Sequence, residues 1–347
     1  MATLLYRLGR LAYRRAWYVI GVWTVVVVGV LGGGVALGGQ MSDSFTIPGT
    51  EGQDALDRLE AVFPQVAGAS VQVVLAAPEG HQVTEYRDAI AEQVSAITDI
   101  EHVDSAVGPW DEYAGKAVND AGTMAIVAVQ LDGPAVEVDD ATIDAITDTA
   151  SITETAGLTV AFGGQVFQDT SFGVSVTEVL GLVFAAAVLV IAFGSLVSAG
   201  MPLIGSLIGV GVSMGAILGV AAFVSVSSTA PMLGLMIGLA VGIDYALFIL
   251  SRHRSQLARG VPPRESAGLA VGTAGSAVVF AGLTVIIALL GLLVVGIPFL
   301  TVMGVGAAFA VLVAIAVATT LLPALLGVAG GRLRPRPGSR AERRALA

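Results

Sequence analysis

Between Glu265 and Arg332 the chain runs for 66 residues without a charged side chain. A membrane-spanning helix needs about 20 apolar residues, so this run is too long for one crossing and long enough for two. Gly296, Ile297 and Pro298 divide it, because proline starts a helix well and cannot continue one. The rest of the chain agrees. Only 13% of its residues are charged and 55% are hydrophobic, against about 25% charged in soluble proteins.

Six apolar segments are long enough to cross a hydrocarbon core of about 30 Å: residues 17–37, 173–193, 201–224, 231–251, 273–295 and 298–325. The sequence therefore predicts an α-helical polytopic membrane protein with six transmembrane helices. Arg7, Arg10, Arg14 and Arg15 precede the first segment. Arg252, Arg254, Arg259 and Arg264 follow the fourth, and six more arginines follow the sixth. Six crossings put all three clusters on one side, which the positive-inside rule makes the cytoplasm. Both termini are then cytoplasmic. The first segment's 21 apolar residues exceed a usual signal-peptide core, so it is expected to stay as an anchor. One lysine against sixteen arginines, with abundant Ala, Gly and Val, points to a GC-rich bacterial genome and hence a bacterial cytoplasmic membrane.

The expected organisation is a cytoplasmic N-terminus (1–16), transmembrane helix 1 (17–38), an extracytoplasmic domain (39–172), transmembrane helices 2–6 (173–328) and a basic cytoplasmic tail (329–347). Between residues 41 and 170 there are 23 acidic residues and three basic ones, an acidity that a solvated surface explains. Within this domain, residues 69–77, 102–107, 123–131 and 157–163 read as strands and 84–98 and 139–152 as helices. That β-α-β-β-α-β order is the ferredoxin-like, split βαβ plan. Residues 50–64 supply a helix before it.

The fourth apolar segment contains one carboxylate, Asp244, near mid-depth. An ionised carboxylate there costs roughly 3 kcal/mol on insertion scales, so such residues face other helices or a wet cavity and commonly move protons. Gly234, Gly238, Gly242 and Ala246 recur every four residues on the same segment and predict a close helix–helix contact. Asp244 lies about 200° around the axis from Gly242, away from that stripe. Tyr245 brings a hydroxyl beside the carboxylate. Glu178, near the outer end of the second segment, is read as interfacial or as lining a vestibule. Thr273, Ser276 and Thr284 could hydrogen-bond inward from the fifth segment.

"GLAVGIDYALFILSRHRSQLARG", together with "IPGTEGQDALDRL" and "GTAGSAVVFAGLTVIIALLGLL", resembles the MMPL-type lipid transporters of the resistance–nodulation–division superfamily. The resemblance covers nearly the whole chain. It implies proton-driven export of lipids or other amphiphiles, a proton relay at Asp244 and Tyr245, and an outer porter domain that receives and passes the substrate. Family members usually have two such halves with facing Asp-Tyr pairs. This sequence carries one half, so the resemblance implies either the N-terminal half of a twelve-helix protein or a half-size member that pairs with a second transporter half or forms a homo-oligomer. Ser276 stands where the family often has a basic residue.

Two other functions compete with export. A non-transporting lipid sensor or accessory and assembly protein of the same fold would share the architecture. An intramembrane aspartyl protease would need two acids sharing a proton, and only Asp244 is placed for that. No enzyme activity is expected. His81, His102 and His253 show no metal-ligand spacing, and the cysteine-free chain offers no thiolate ligand. No phosphate-binding glycine loop is present, which argues against ATP as the energy source. No metal, cofactor or nucleic acid is expected; the partners expected are a lipid or amphiphile substrate, membrane lipids and the second half or further copy.

Overall fold

The computed structural model describes residues 1–37, 50–62, 69–112, 114–132, 138–167, 176–224, 226–227 and 229–334. The chain divides into a helical unit (Met1–Thr46 with Phe172–Ala347) and a second unit (Ile47–Ser171).

The helical unit begins with α1 (Ala2–Arg14). At Arg15 the backbone leaves helical geometry, and α2 (Ala16–Leu37) starts. After the second unit come α7 (Val176–Phe193), α8 (Leu196–Ala221), α9 (Thr229–Ala258), α10 (Pro263–Leu290), α11 (Pro298–Ala316) and α12 (Leu322–Ala329). A π-helical turn, Val317–Leu321, joins α11 to α12. Among the described residues, five helical stretches are long and apolar enough to cross a membrane: Ala16–Leu37, Leu196–Ala221, Thr229–Ala258, Pro263–Val295 and Pro298–Leu333. The second expected crossing differs. Its apolar stretch within α7, Glu178–Phe193, is shorter, and residues 173–175 lie outside the described part.

Gly296 takes a left-handed φ of 77°, Ile297 is extended, and Pro298 opens α11. Most side chains would strain at that positive φ, so glycine places the break between α10 and α11. The helices approach closely through small residues. A Cβ on Gly215 of α8 would lie 2.6 Å from Leu31 Cα of α2, so only glycine fits there. Trp23 donates to Thr320 Oγ1 at 3.0 Å, tying α2 to the π-helical turn. The core of this unit is built from Ile249, Leu250, Leu257, Val271, Leu322 and Leu326.

The second unit contains α3 (Glu51–Val62), β1 (Ser70–Ala76), α4 (Arg87–Thr98), β2 (Val103–Val107), β3 (Met124–Leu131), α5 (Asp140–Asp148), α6 (Ala150–Thr155) and β4 (Thr159–Gly164). The four strands form one sheet in the order β2-β3-β1-β4, every neighbouring pair antiparallel. Strand alternation sends Val71, Val73 and Leu75 of β1, and Val127, Val129 and Leu131 of β3, into one core with Ile90, Ile97 and Ile146. The helix expected over 139–152 is two helices meeting at Thr149. Its hydroxyl donates to Ile146 O at 2.6 Å and accepts from Gln93 Nε2 at 3.3 Å, while Thr153 donates to Gln93 Oε1 at 2.9 Å. Such side-chain bonds compete with a continuous helical ladder.

Candidate functional site: an acid in mid-helix

The 30 residues of α9 extend about 45 Å. Asp244 is the sixteenth, which places it near the midpoint. Two stripes with a four-residue period run along this helix on opposite sides. Gly234, Gly238, Gly242 and Ala246 are buried. Met232, Met236, Ala240, Asp244 and Phe248 are exposed.

The buried stripe lies against α8. A Cβ on Gly234 would come 3.1 Å from Ile217 Cδ1, on Gly238 3.2 Å from Val210 Cγ2, and on Gly242 3.0 Å from Ser206 Cβ. The exposed stripe is an apolar ridge with one carboxylate in its middle. Its cost in a membrane predicts that Asp244 faces helices or a wet cavity. Among the described residues no helix covers it. The glycines use the other side of α9 for packing, so the helices of this unit occupy that side.

Tyr245 turns inward and is half-buried against the main apolar core. Its hydroxyl reaches α10: a Cβ on Gly282 would sit 3.2 Å from Tyr245 Oη and collide with Ile315. The carboxylate and phenol are thus sequence neighbours with different surroundings, one on the ridge and one between α9 and α10. Glu178 is half-buried in the first turn of α7. Thr273, Ser276 and Thr284 hydrogen-bond to carbonyls of their own helix, those of Leu269, Thr273 and Phe280.

Sequence reasoning missed a buried polar cluster at the end of α9. Ser266 Oγ, at the start of α10, lies 2.8 Å from His253 Nδ1 and 3.0 Å from both His253 O and Gln256 Oε1. His253 and Ser266 are wholly buried. His253 and Gln256 stand three residues apart and therefore share a helix face. That spacing was the available signal, and it becomes informative once the α9–α10 turn brings Ser266 opposite. No group of three or more His, Asp or Glu side chains among the described residues is placed to hold a metal ion.

Long apolar helices packed through glycine, one bearing an acid at its midpoint, define a helical membrane protein. The chain belongs to the MMPL family, whose model matches residues 44–346. It is 38% identical over 347 residues to the membrane protein YdfJ of Bacillus subtilis (strain 168), covering 99% of this chain and 47% of that protein. It is 27% identical to the trehalose monomycolate exporter MmpL3 of Mycobacterium tuberculosis, covering 93% of this chain and 35% of that one. The chain thus spans about half the length of the first relative and a third of the second. Among solved structures it is similar to SecDF in its super-membrane-facing form, with a TM-score of 0.48 and 16% identity over 90% of this chain and 38% of that chain.

Proposed function

We propose that this chain supplies six transmembrane helices and one ferredoxin-like porter domain to a proton-driven exporter of lipids or other amphiphiles. It sits in the bacterial cytoplasmic membrane with both ends on the cytoplasmic side. The observation that carries this reading is Asp244, exposed halfway along a membrane helix in an otherwise apolar ridge. Lipid is a poor neighbour for an ionised carboxylate. The ridge therefore faces helices from outside this unit, either a second transporter half or another copy of the chain.

In this reading Asp244 binds a proton on a carboxylate oxygen when its cavity opens to the outer side. It releases that proton when the cavity opens to the cytoplasm. Neutralisation changes what the ridge can pack against, so each protonation step biases α9 toward one arrangement. The Tyr245 hydroxyl, positioned beside Gly282, supplies a hydrogen-bonding group on the α10 side, one residue along α9 from the carboxylate. The strand order β2-β3-β1-β4 supports the ferredoxin-like assignment of the outer unit. The basic residues, fourteen of 17 in three clusters, support the orientation. The lipid substrate class rests on the similarity to the trehalose monomycolate exporter MmpL3.

Reconstituted vesicles with an imposed pH gradient test the proposal. Proton uptake coupled to amphiphile movement is expected for the unaltered protein, and Asp244→Asn should reduce it to background with unchanged thermal unfolding. Undiminished coupled flux in that variant would refute the relay. A protein that never moves protons or amphiphiles in any assembled form would instead fit the sensor reading.

A further inference from the structure

The corner between α1 and α2 holds a cavity of about 490 Å³, lined by residues 13–18 and by Gly327 and Val328 of α12. That volume lies within the roughly 300–1,000 Å³ range of ligand sites. Two adjacent arginines, Arg14 and Arg15, are part of its wall and are exposed. Neither pairs with a carboxylate among the described residues, whose ion pairs all lie in the second unit. The nearest acid in sequence order on this side, Glu265, already accepts from Tyr6 at 2.6 Å.

The position of the cavity narrows its occupant. The 22 residues of α2 extend about 33 Å, close to the hydrocarbon thickness. Arg14 and Arg15 therefore stand at one membrane boundary. Trp17 and Tyr18 are 77% and 70% exposed at the same level, where aromatic rings favour the headgroup layer. Below them Val22, Val25 and Val28 form an exposed apolar track along α2. Paired guanidinium groups suit a phosphate, the aromatics suit the glycerol and ester level, and the valine track suits an acyl chain.

The geometry points to a binding site for one anionic phospholipid in this cavity, its phosphate held by Arg14 and Arg15 and its acyl chain lying along α2. The site is far from Asp244 in sequence and does not depend on proton transport. A phospholipid bound here would fix the angle between α1 and α2. Gly327 shapes the same corner, since a Cβ there would come 2.5 Å from the Tyr13 carbonyl oxygen.

The test uses the full chain in phosphatidylcholine nanodiscs, with Trp17 as the sole tryptophan after Trp23→Phe and Trp110→Phe. Brominated phosphatidylglycerol should quench Trp17 at low mole fraction, and brominated phosphatidylcholine should do so only at high mole fraction. Arg14→Gln/Arg15→Gln should lower that preference roughly thirtyfold, taking about 1 kcal/mol per basic residue at an anionic surface. Val328→Phe keeps both charges and fills the cavity, so it should also abolish the preference, and it serves if the double variant inserts wrongly. Arg252→Gln/Arg259→Gln should leave it intact. Equal quenching by the two lipids would overturn the site. So would a preference that survives Val328→Phe, because surface charge alone would then explain it.

Discussion

Asp244 and Tyr245 share a peptide bond and face different sides of α9. The division gives them separable tests. Tyr245→Phe removes only a hydroxyl from a half-buried ring, so it should slow proton flux in vesicles and leave the unfolding temperature unchanged. Ser266→Ala is expected to act on stability instead. It leaves His253 Nδ1 and Gln256 Oε1 without their buried partner, a change worth about 1–3 kcal/mol by denaturation in detergent. In the second unit, His102 Nδ1 lies 3.1 Å from Asp132 Oδ1. That hydrogen bond, and then the charge of Asp132, raise the His102 pKa above 6.5. The bond's stabilisation is therefore complete below the unfolded value and fades as pH rises through the higher folded value. Hydrogen exchange of β2 and β3 amides should quicken across that window, and Asp132→Asn should flatten the dependence. Both side chains are more than half exposed, so the effect is small.

At the scale of elements, α9 is a helix with two jobs on opposite sides. Its glycine stripe packs within the unit, and its Met232-to-Phe248 ridge is exposed and, in the proposed function, meets helices from a second half or another copy. Ala240 lies on that ridge four residues from Asp244. Ala240→Trp should leave insertion and unfolding of the unit unchanged while suppressing flux, because the bulk meets only the incoming helices. The α2–α8 crossing makes the complementary prediction. Gly215→Ala drives a methyl into the Leu31 backbone and should destabilise by about 1–3 kcal/mol. Gly29→Ala meets nothing within 4 Å and should be neutral or slightly stabilising, since alanine is the better helix former. Thermal unfolding of both variants in detergent separates local propensity from the close approach.

Across the whole molecule, legibility followed the locality of the signal. Period-two alternation marked β1 and β3 because Val71, Val73 and Leu75 must share a face wherever the strand goes. The Gly-Ile-Pro break between α10 and α11 was likewise local chemistry. The break at Thr149 was not legible, because it depends on Gln93, more than fifty residues away. The His253–Gln256–Ser266 cluster needed the α9–α10 turn before its members met. In the sequence the α1 segment shows only its arginines, and its packing on α10 through Tyr6 and Gly268 appears only in the fold. Asp244 was conspicuous from the start, while its exposure depends on which helices the unit contains, a property no single segment carries.

All of the proposed transport chemistry requires Asp244 to change protonation inside the membrane. Infrared difference spectroscopy of the reconstituted protein, stepped across the neutral pH range, reads that event directly through the carboxylic acid C=O stretch. The expected result is a protonated-carboxyl band that comes and goes with pH and is missing in Asp244→Asn. A spectrum unchanged by that substitution, with Asp244 ionised throughout, would contradict it.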